Sequence, residues 1–319
     1  EGWTTNLDGT GTFYKDGATV NSYDFVANTT LYAKWRATWI AEVPTDHKLI
    51  GSGISTDPYK VGTAVDLAYL ALNVQNKKTY SNVYFEQTAP IDLTGKIWMP
   101  IGGSSLENKT TSFAGVYNGR GFAIIGLETY NQTDASGNRL YSSVGLFGRT
   151  NGALLRDINI INAKVYGKEN VGALVGENVD KNLVICGCFA KGEVVGKAST
   201  GGLVGKDVIA GTQILNSGFT GNVVGGGIMA GSLAGGIIKN CYAEVVSSIP
   251  FYGGNNNITI DACVFSANGN KQYYDDKSPD DGYFRDWTTY EGKPLPSGLT
   301  WIGGVESGPV SLDGYTKIG

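Results

Sequence analysis

One histidine, two methionines and four cysteines in 319 residues leave little room for several common chemistries. His47 is the lone histidine. A His-rich zinc site is therefore excluded, and a Ser-His-Asp or Cys-His centre would have to run through that one ring. It lies in Thr45-Asp46-His47-Lys48, a polar stretch expected to be solvated surface. No His-Glu-x-x-His motif occurs, which sets aside the zinc-peptidase reading. Charge is scarce as well: 25 basic against 29 acidic side chains, a net charge of −4, with charged residues at 17% where soluble domains carry about 25%. Backbone phosphates need clustered Lys and Arg, so no nucleic-acid partner is expected. No apolar run reaches the ~18 residues of a membrane-spanning helix. Cys186, Cys188, Cys241 and Cys263 are too few and too clustered for a disulfide framework. Cys186 and Cys188 form C-x-C without a second pair at metal spacing, so no metal and no cofactor is expected. The chain opens on Glu1 inside a turn-rich strand pattern with no signal peptide ahead of it, and is expected to be a piece of a longer protein.

What the chain has in excess is glycine, 47 residues, about twice the usual share. Much of it falls in a repeat. Gly145-Leu-Phe-Gly148, Gly172-Ala-Leu-Val-Gly176, Gly201-Gly-Leu-Val-Gly205 and Gly231-Ser-Leu-Ala-Gly235 are four Gly-flanked apolar boxes whose last glycines are 28, 29 and 30 residues apart. Between them, Ile185-Cys-Gly-Cys-Phe-Ala-Lys-Gly-Glu-Val-Val-Gly196 aligns without gaps on Ile214-Leu-Asn-Ser-Gly-Phe-Thr-Gly-Asn-Val-Val-Gly225. Ile238-Lys-Asn-Cys-Tyr-Ala243 and Ile260-Asp-Ala-Cys263 shorten the pattern, and Leu155 to Gly167 is a looser early copy. These segments are short, rich in Val, Ile, Phe and Tyr, and bounded by Gly and Asn, the composition of strands.

A unit of this length holds two or three strands and cannot bury its own apolar face. Stacking the units pairs each strand with its counterpart in the next and closes a shared core. The expected fold is all-β: a parallel, right-handed β-helix or solenoid of roughly seven coils with an axis on the order of 35 Å. A β-propeller needs blades of ~40–50 residues and fits less well. Stacking predicts ladders. Cys188, Ser217, Cys241 and Cys263 share one column, expected as buried free thiols and small side chains; a Cys241–Cys263 disulfide is the alternative. Asn216 and Asn240 share the column before it and are expected to bond amide to amide. Tyr84 to Leu93 and Phe113 to Leu127 read as earlier strands of the stack. The one convincing helix has Thr63 as N-cap with Asp66 three residues on, an apolar face of Leu67, Leu70, Ala71 and Val74, and a stop at Asn76-Lys77-Lys78. It is expected to cap the N-terminal end of the stack.

The Gly-Leu-x-Gly core of Gly145–Gly148, Gly172–Gly176 and Gly201–Gly205 resembles the GLUG motif. The lead-in is similar too, with Gly51-Ser-Gly53, Asp57-Pro-Tyr59, the Thr63–Asn73 helix, Ile91-Asp-Leu93, Trp98-Met-Pro-Ile-Gly102 and Phe113-Ala-Gly-Val-Tyr-Asn-Gly119 in the order of that family, over roughly residues 50–265. The fourth box departs at Ala234, and the fifth repeat lacks its box. Gly2-Trp3, Tyr14, Val20 and Thr29-Thr-Leu-Tyr-Ala-Lys-Trp35 resemble the C-terminal half of the Listeria–Bacteroides repeat of internalin-type surface proteins. The resemblances imply a multi-domain bacterial protein, secreted or anchored at the surface, of a kind associated with adhesins and with non-catalytic regions of IgA-cleaving peptidases. They divide the chain into 1–37, a small β fragment of the partial repeat; 38–112, the N-terminal cap and first coils; 113–266, the GLUG-type repeats; and 267–319, a C-terminal loop and cap.

A β-helix can also host polysaccharide lyases and glycosidases, whose chemistry needs carboxylate pairs or a basic proton acceptor. Glycoside hydrolysis needs two facing carboxylates, whereas Asp157, Glu169, Glu177, Asp180, Glu193, Asp207 and Glu244 are scattered. Glu169 and Glu177 could share a groove but read as surface charge, and Arg149 and Arg156 carry no mark of a catalytic base. Asp275, Asp276, Asp280 and Asp281 could bind calcium, but Pro279 interrupts them and a hydrated loop is favoured. Tyr273, Tyr274, Tyr283 and Trp287, with Phe284 and Tyr290, could form an aromatic platform for sugars or cover the end of the core. The expectation is a monomeric, non-enzymatic adhesion module of the bacterial cell surface, binding a host or bacterial glycan or protein. The competing readings are a glycan-binding or glycan-degrading β-helix and a rigid spacer.

Overall fold

The computed structural model describes residues 2–5, 12–15, 30–34, 36–104, 110–131, 133, 139–227, 229–245, 252–254, 258–261, 263–267, 270–274 and 284–286. The chain is mostly β, with one α-helix among the described residues. It begins with three short antiparallel strands, Gly2–Thr4 between Phe13–Lys15 and Tyr32–Lys34, in the place assigned to the small β fragment.

Three larger sheets follow, and from Val116 onward the chain visits them in a fixed cycle. The first holds Tyr59–Val61, Tyr84–Gln87, Val116–Asn118, Leu154–Arg156, Val184–Cys186, Thr212–Leu215, Gly236–Lys239 and Ile258–Asp261. The second holds Ile91–Asp92, Ala123–Ile125, Asn159–Tyr166, Phe189–Gly201, Gly218–Gly227, Tyr242–Val245 and Cys263–Ala267, with Glu169–Gly172 beside Phe189–Gly201. The third holds Phe147–Thr150, Val175–Asn178, Val204–Asp207, Ala230–Leu233 and Tyr252–Gly254. Within each of these runs neighbouring strands are parallel, and each pairs with its equivalent one repeat away. Parallel pairing ends at Cys263–Ala267. Asn270–Tyr274 returns antiparallel along it, and Phe284–Asp286 along that, where the sequence loses its period.

In-register stacking sends one column of each strand into a common interior. Tyr117, Leu155, Ile185, Ile214, Ile238 and Ile260 form such a column from the first sheet, and Ile124, Ile160, Ala190, Phe219 and Ala243 from the second. Leu146, Leu174 and Leu203 are all buried at the entrance to the third sheet, and their equivalent in the next repeat is Met229. Full burial of each such side chain contributes about 1.5–3 kcal/mol. Near the helix the interior is aromatic: Phe85, Phe113 and Phe147 follow one another with ring centroids 5.8 and 5.1 Å apart, and Tyr117 meets Phe147 edge-on at 5.8 Å.

The pairing corrects one alignment. Val204 pairs with Ala230 and Lys206 with Ser232, so Gly231, not Gly235, stands over Gly205. The step is 26 residues there because the second-sheet strands lose three at a corner: Val195 pairs with Val224, but Thr200 with Gly226. The box glycines are steric. A Cβ on Gly176 or Gly205 would fall closer than 3.0 Å to the backbone at residues 143–144 or 170–171 of the preceding repeat.

The helix forms at Ala64–Gln75 as its cap residues require. Asp66 N donates to Thr63 Oγ1 at 3.1 Å, and Thr63 N donates to Asp66 Oδ2 at 3.0 Å, a reciprocal capping box. Its apolar face, Leu67, Leu70, Ala71 and Val74, joins the core that also holds Phe85, Ile91 and Trp98, at the end of the first sheet. His47 is not free solvated surface. Its Nε2 lies 2.9 Å from Asp66 Oδ1 and its ring meets Tyr69 edge-on at 5.0 Å, so it braces the start of the helix.

The predicted ladders are present. Cys188, Ser217, Cys241 and Cys263 are buried in one column, and the cysteines are free thiols. Burial pushes the Cys188 thiol well above its ordinary value, and its Sγ donates to the Leu155 and Cys186 carbonyls, so it behaves as a small apolar filler. Asn240 Nδ2 donates to Asn216 Oδ1 at 3.2 Å.

Candidate functional site

Two kinds of surface come out of this geometry. The first is a set of outward rows. On the third sheet, Arg149, Glu177, Lys206 and Ser232 stand over one another. Ser143 Oγ donates to Glu177 Oε2 at 3.0 Å, and Arg149 Nε lies 3.5 Å from the same oxygen. On the second sheet, Lys164, Glu193 and Asn222 form one row and Lys191, Thr220 and Glu244 another. On the first sheet Val116, Leu154, Val184, Gln213, Ile237 and Thr259 form a row beside Asn118, Arg156, Cys186, Leu215, Lys239 and Asp261, with Lys239 and Asp261 ion-paired. Charges alternate in sign along Arg149, Glu177 and Lys206, and the other charged rows each carry both signs. The rows carry no net charge large enough to attract a polyanion, and they repeat at the strand spacing of ~4.8 Å.

The second is a cleft where the end of the helix, the segment around Trp98 and the corner between the second and third sheets meet. It is partly open to solvent, and the space it encloses is about 30 Å³. Trp98 forms its buried base, held by donation from its Nε1 to the Leu146 carbonyl at 3.1 Å. Tyr130 and Tyr141 stack on each other, with centroids 5.4 Å apart and planes 18° apart. Tyr166 forms another wall, with the Arg139 guanidinium 5.6 Å from its ring. Its hydroxyl donates to Glu193 Oε2 at 2.7 Å. Burial, and then Glu193, push the phenol up to about 12, so it stays protonated and remains a donor. Thr129 Oγ1 is tied to the backbone of Tyr166, donating to its carbonyl at 3.2 Å and accepting from its N–H at 2.8 Å, which fixes these two walls to each other. Among the described residues none of the lining side chains carries a formal charge, and the Arg139 guanidinium lies against the Tyr166 ring.

Most of the sequence-selected carboxylates are engaged by other side chains. Glu177 is held by Ser143 and Arg149, Glu193 by Tyr166, and Asp157 by Arg156 at 3.1 Å. Asp207 is buried: its Oδ1 accepts from Ile209 N at 2.9 Å and Asn178 Nδ2 at 3.1 Å, and its Oδ2 accepts from Thr212 Oγ1. Burial pushes its carboxyl above the usual range. Among the described residues no group of three or more His, Cys, Asp or Glu is placed to hold a metal, and no helix is long and apolar enough to cross a membrane. Asp275, Asp276, Asp280 and Asp281 lie outside the described residues, as do Tyr283 and Trp287. Tyr273 and Tyr274 belong to the strand Asn270–Tyr274, where the description stops at the backbone.

Sequence reading did not find the cleft. Its residues come from five separate segments, of which only Tyr166 stands in a repeat column. The only local signal was the tyrosine pair, Tyr130 and Tyr141, flanking a polar stretch just before the first box.

Comparison with known proteins adds two partial likenesses. No family model matches the chain. Over 129 residues, 40% of its length, the chain is 29% identical to halomucin of Haloquadratum walsbyi (strain DSM 16790 / HBSQ001). It spans 1% of the length of that protein. Among solved structures, a putative immunoglobulin A1 protease from Bacteroides ovatus superposes with a TM-score of 0.41 at 19% identity, covering 74% of this chain and 86% of the other.

Proposed function

We propose that the three sheets wind into a right-handed parallel β-solenoid, and that this solenoid is a non-enzymatic adhesion module of a bacterial cell surface. The winding is supported by the cyclic visits to three sheets and by parallel pairing one repeat away. Handedness follows the general rule for parallel crossovers, since right-twisted strands pack back on their sheet only one way. The GLUG and Listeria–Bacteroides likenesses of the sequence point in the same direction and carry the extracellular placement.

The observation that carries the function is the set of outward rows. Arg149–Glu177–Lys206–Ser232 and its neighbours set charged and polar side chains at fixed intervals along a stack of paired strands. Many weak polar contacts spaced in this way add through effective concentration rather than through one deep pocket, and stacked repeats are a usual source of extended binding surfaces. The partner is a host or bacterial surface glycan or protein, met by a monomer.

The test is adhesion itself. Beads coated with the purified chain are expected to adhere to mucus-bearing epithelial cells or to bacterial envelopes, and soluble chain in excess is expected to release them. Adhesion equal to that of uncoated beads overturns the reading. Release of new reducing ends from a polysaccharide panel replaces it with the enzymatic one.

A further inference from the structure

We propose that the outward face of the first sheet is where two copies of this chain recognise each other, docked antiparallel. The proposal rests on the adhesion reading and names its protein partner, a second copy on a facing surface, which each monomer meets.

The face carries two outward rows. In strand order, one runs Lys60, Glu86, Asn118, Arg156, Cys186, Leu215, Lys239 and Asp261. The other runs Tyr84, Val116, Leu154, Val184, Gln213, Ile237 and Thr259. Apart from Gln213 and Thr259 the second row is an aromatic and aliphatic stripe, and Ile237 in it is 41% exposed. An apolar stripe rimmed by polar side chains is the mark of a protein contact, since covering it removes apolar surface from water.

The rows complement themselves when one copy is turned end for end. Among the described residues the sheet has eight strands, so a two-fold axis falls between the fourth and fifth, Leu154–Arg156 and Val184–Cys186. A two-fold axis makes each contact occur twice. Lys60 then faces Asp261 of the second copy and Glu86 faces Lys239. In the stripe Tyr84 faces Ile237, Val116 faces Gln213 and Leu154 faces Val184. Within one chain Lys60 Nζ lies 3.2 Å from Glu86 Oε1, and Lys239 is ion-paired with Asp261. Antiparallel docking therefore builds at each end a square of four charges with opposite signs at neighbouring corners. Parallel docking would set Lys60 on Lys60 and Glu86 on Glu86. Arg120 sharpens the choice. It also pairs with Glu86, at 3.1 Å, so that end carries one net positive charge while the Lys239–Asp261 end carries none. Only parallel docking sets the two positive ends together.

The size of the face sets the strength. Seven strand intervals of ~4.8 Å make it about 34 Å long, and its two outward positions lie about 7 Å apart along each strand. Such a strip buries on the order of 1,000 Å² in total, at the low end for specific association. The free chain is then a monomer at low concentration, and many copies on apposed surfaces hold through effective concentration. Two chains rooted by the same end on facing surfaces also meet antiparallel.

The experiment is sedimentation velocity of the whole chain over a wide concentration range, beside clustering of beads that carry only this chain. The wild type is expected to dimerise with a Kd between about 10 μM and 1 mM, and its beads to cluster. K60D and D261K each set like charges at both ends of the pair, and each is expected to raise Kd at least tenfold and to stop clustering. An equimolar mixture of the two, and the double variant K60D/D261K, are expected to return to within threefold of the wild type, a recovery that misfolded chains would not show. I237D is expected to stop clustering with the melting temperature unchanged. A wild type that stays monomeric with dispersed beads overturns the proposal. So does clustering retained in both single variants, or no recovery in the mixture and the double variant. Dispersed beads that still adhere to epithelial cells or bacterial envelopes sink self-recognition and leave the adhesion reading standing; beads that do neither overturn both.

Discussion

At the scale of single residues, the stack is specified by positions that tolerate few alternatives. Asp157, Gly187, Asn216 and Asn240 occupy one corner column with φ of 52°, 65°, 48° and 51°. Gly, Asn and Asp are the types that take this left-handed region at low cost, although only Asn216 and Asn240 stood out as a column in the sequence. The box glycines were legible as a motif but not as a mechanism, since only the pairing shows that they answer close backbone contact between repeats. G205A would push a Cβ into the backbone at 170–171 and at Gly176, and we expect it to cost about 2–3 kcal/mol in urea unfolding. G95A, where φ is +83° but no atom lies within 4 Å, should cost only about 1 kcal/mol. Equal losses would mean that crowding is not what the box glycines relieve. Asp207 gives a prediction in pH. Burial holds its carboxyl above the unfolded value, so the folded chain favours the protonated form. That contribution is present below the unfolded value of about 3.9 and is lost as pH rises through the folded one. D207N keeps an acceptor for Ile209 N and Asn178 and gains a donor for Thr212. It should match the wild type near pH 3 and exceed it in stability at pH 7.5. A variant less stable at both values would show that the ionised carboxylate is the favoured form.

At the scale of elements, strand identity and the helix were readable because their signals are local: Thr63 with Asp66 for the cap, and alternating Val and Ile for strands. Register was not. The fourth box looks like the third, yet its first glycine rather than its last takes the stacked position, because three residues drop out of the corner between Val195 and Thr200. Nothing in Gly231-Ser-Leu-Ala-Gly235 records a deletion that lies upstream of it. Long-range ties were equally invisible. Arg36, just past the N-terminal strands, forms a two-pronged pair with Glu128, Nη1 to Oε1 at 2.6 Å and Nη2 to Oε2 at 2.9 Å, across a separation of 92 residues. The guanidinium holds the Glu128 carboxyl below its ordinary range against a smaller opposing effect of burial. A lowered carboxylate contributes stability above its unfolded value, near 4.3, and loses it as pH falls through the folded one. Both side chains are about one-third exposed, which keeps the pair near the surface range of about 0.5–1 kcal/mol. R36A should therefore lower stability by that amount at pH 7 and by nothing measurable at pH 2.5. A loss that is the same at both values would assign the effect of Arg36 to packing of its stem instead of to the ion pair.

At the scale of the whole molecule, the question is whether the repeats are interchangeable units. In a one-dimensional stack each repeat contacts only its neighbours, so a complete unit can be removed if the register on both sides is preserved. The pairing identifies such a unit. Val175 stands over Val204, Ile185 over Ile214 and Val195 over Val224, all offset by 29 residues. Excising residues 176–204 joins Val175 to Gly205 and lets Val175 take the place of Val204 against Ala230. Every inward column keeps its order, the aromatic interior next to the helix is untouched, the Cys column loses Cys188, the corner column loses Gly187, and the Asn216–Asn240 pair is kept. The shortened chain should fold cooperatively with an unchanged β circular-dichroism spectrum per residue, and small-angle scattering should show a particle shorter by about one strand spacing, ~4.8 Å. Removing residues 176–189 instead deletes part of a unit, sets inward positions against corners, and should leave an unfolded or aggregated product. If both excisions unfold the chain, the sheets depend on more than nearest-neighbour stacking and the solenoid reading fails. If both fold, register does not govern the core, and the stacked leucines at 146, 174 and 203 are not what holds it together.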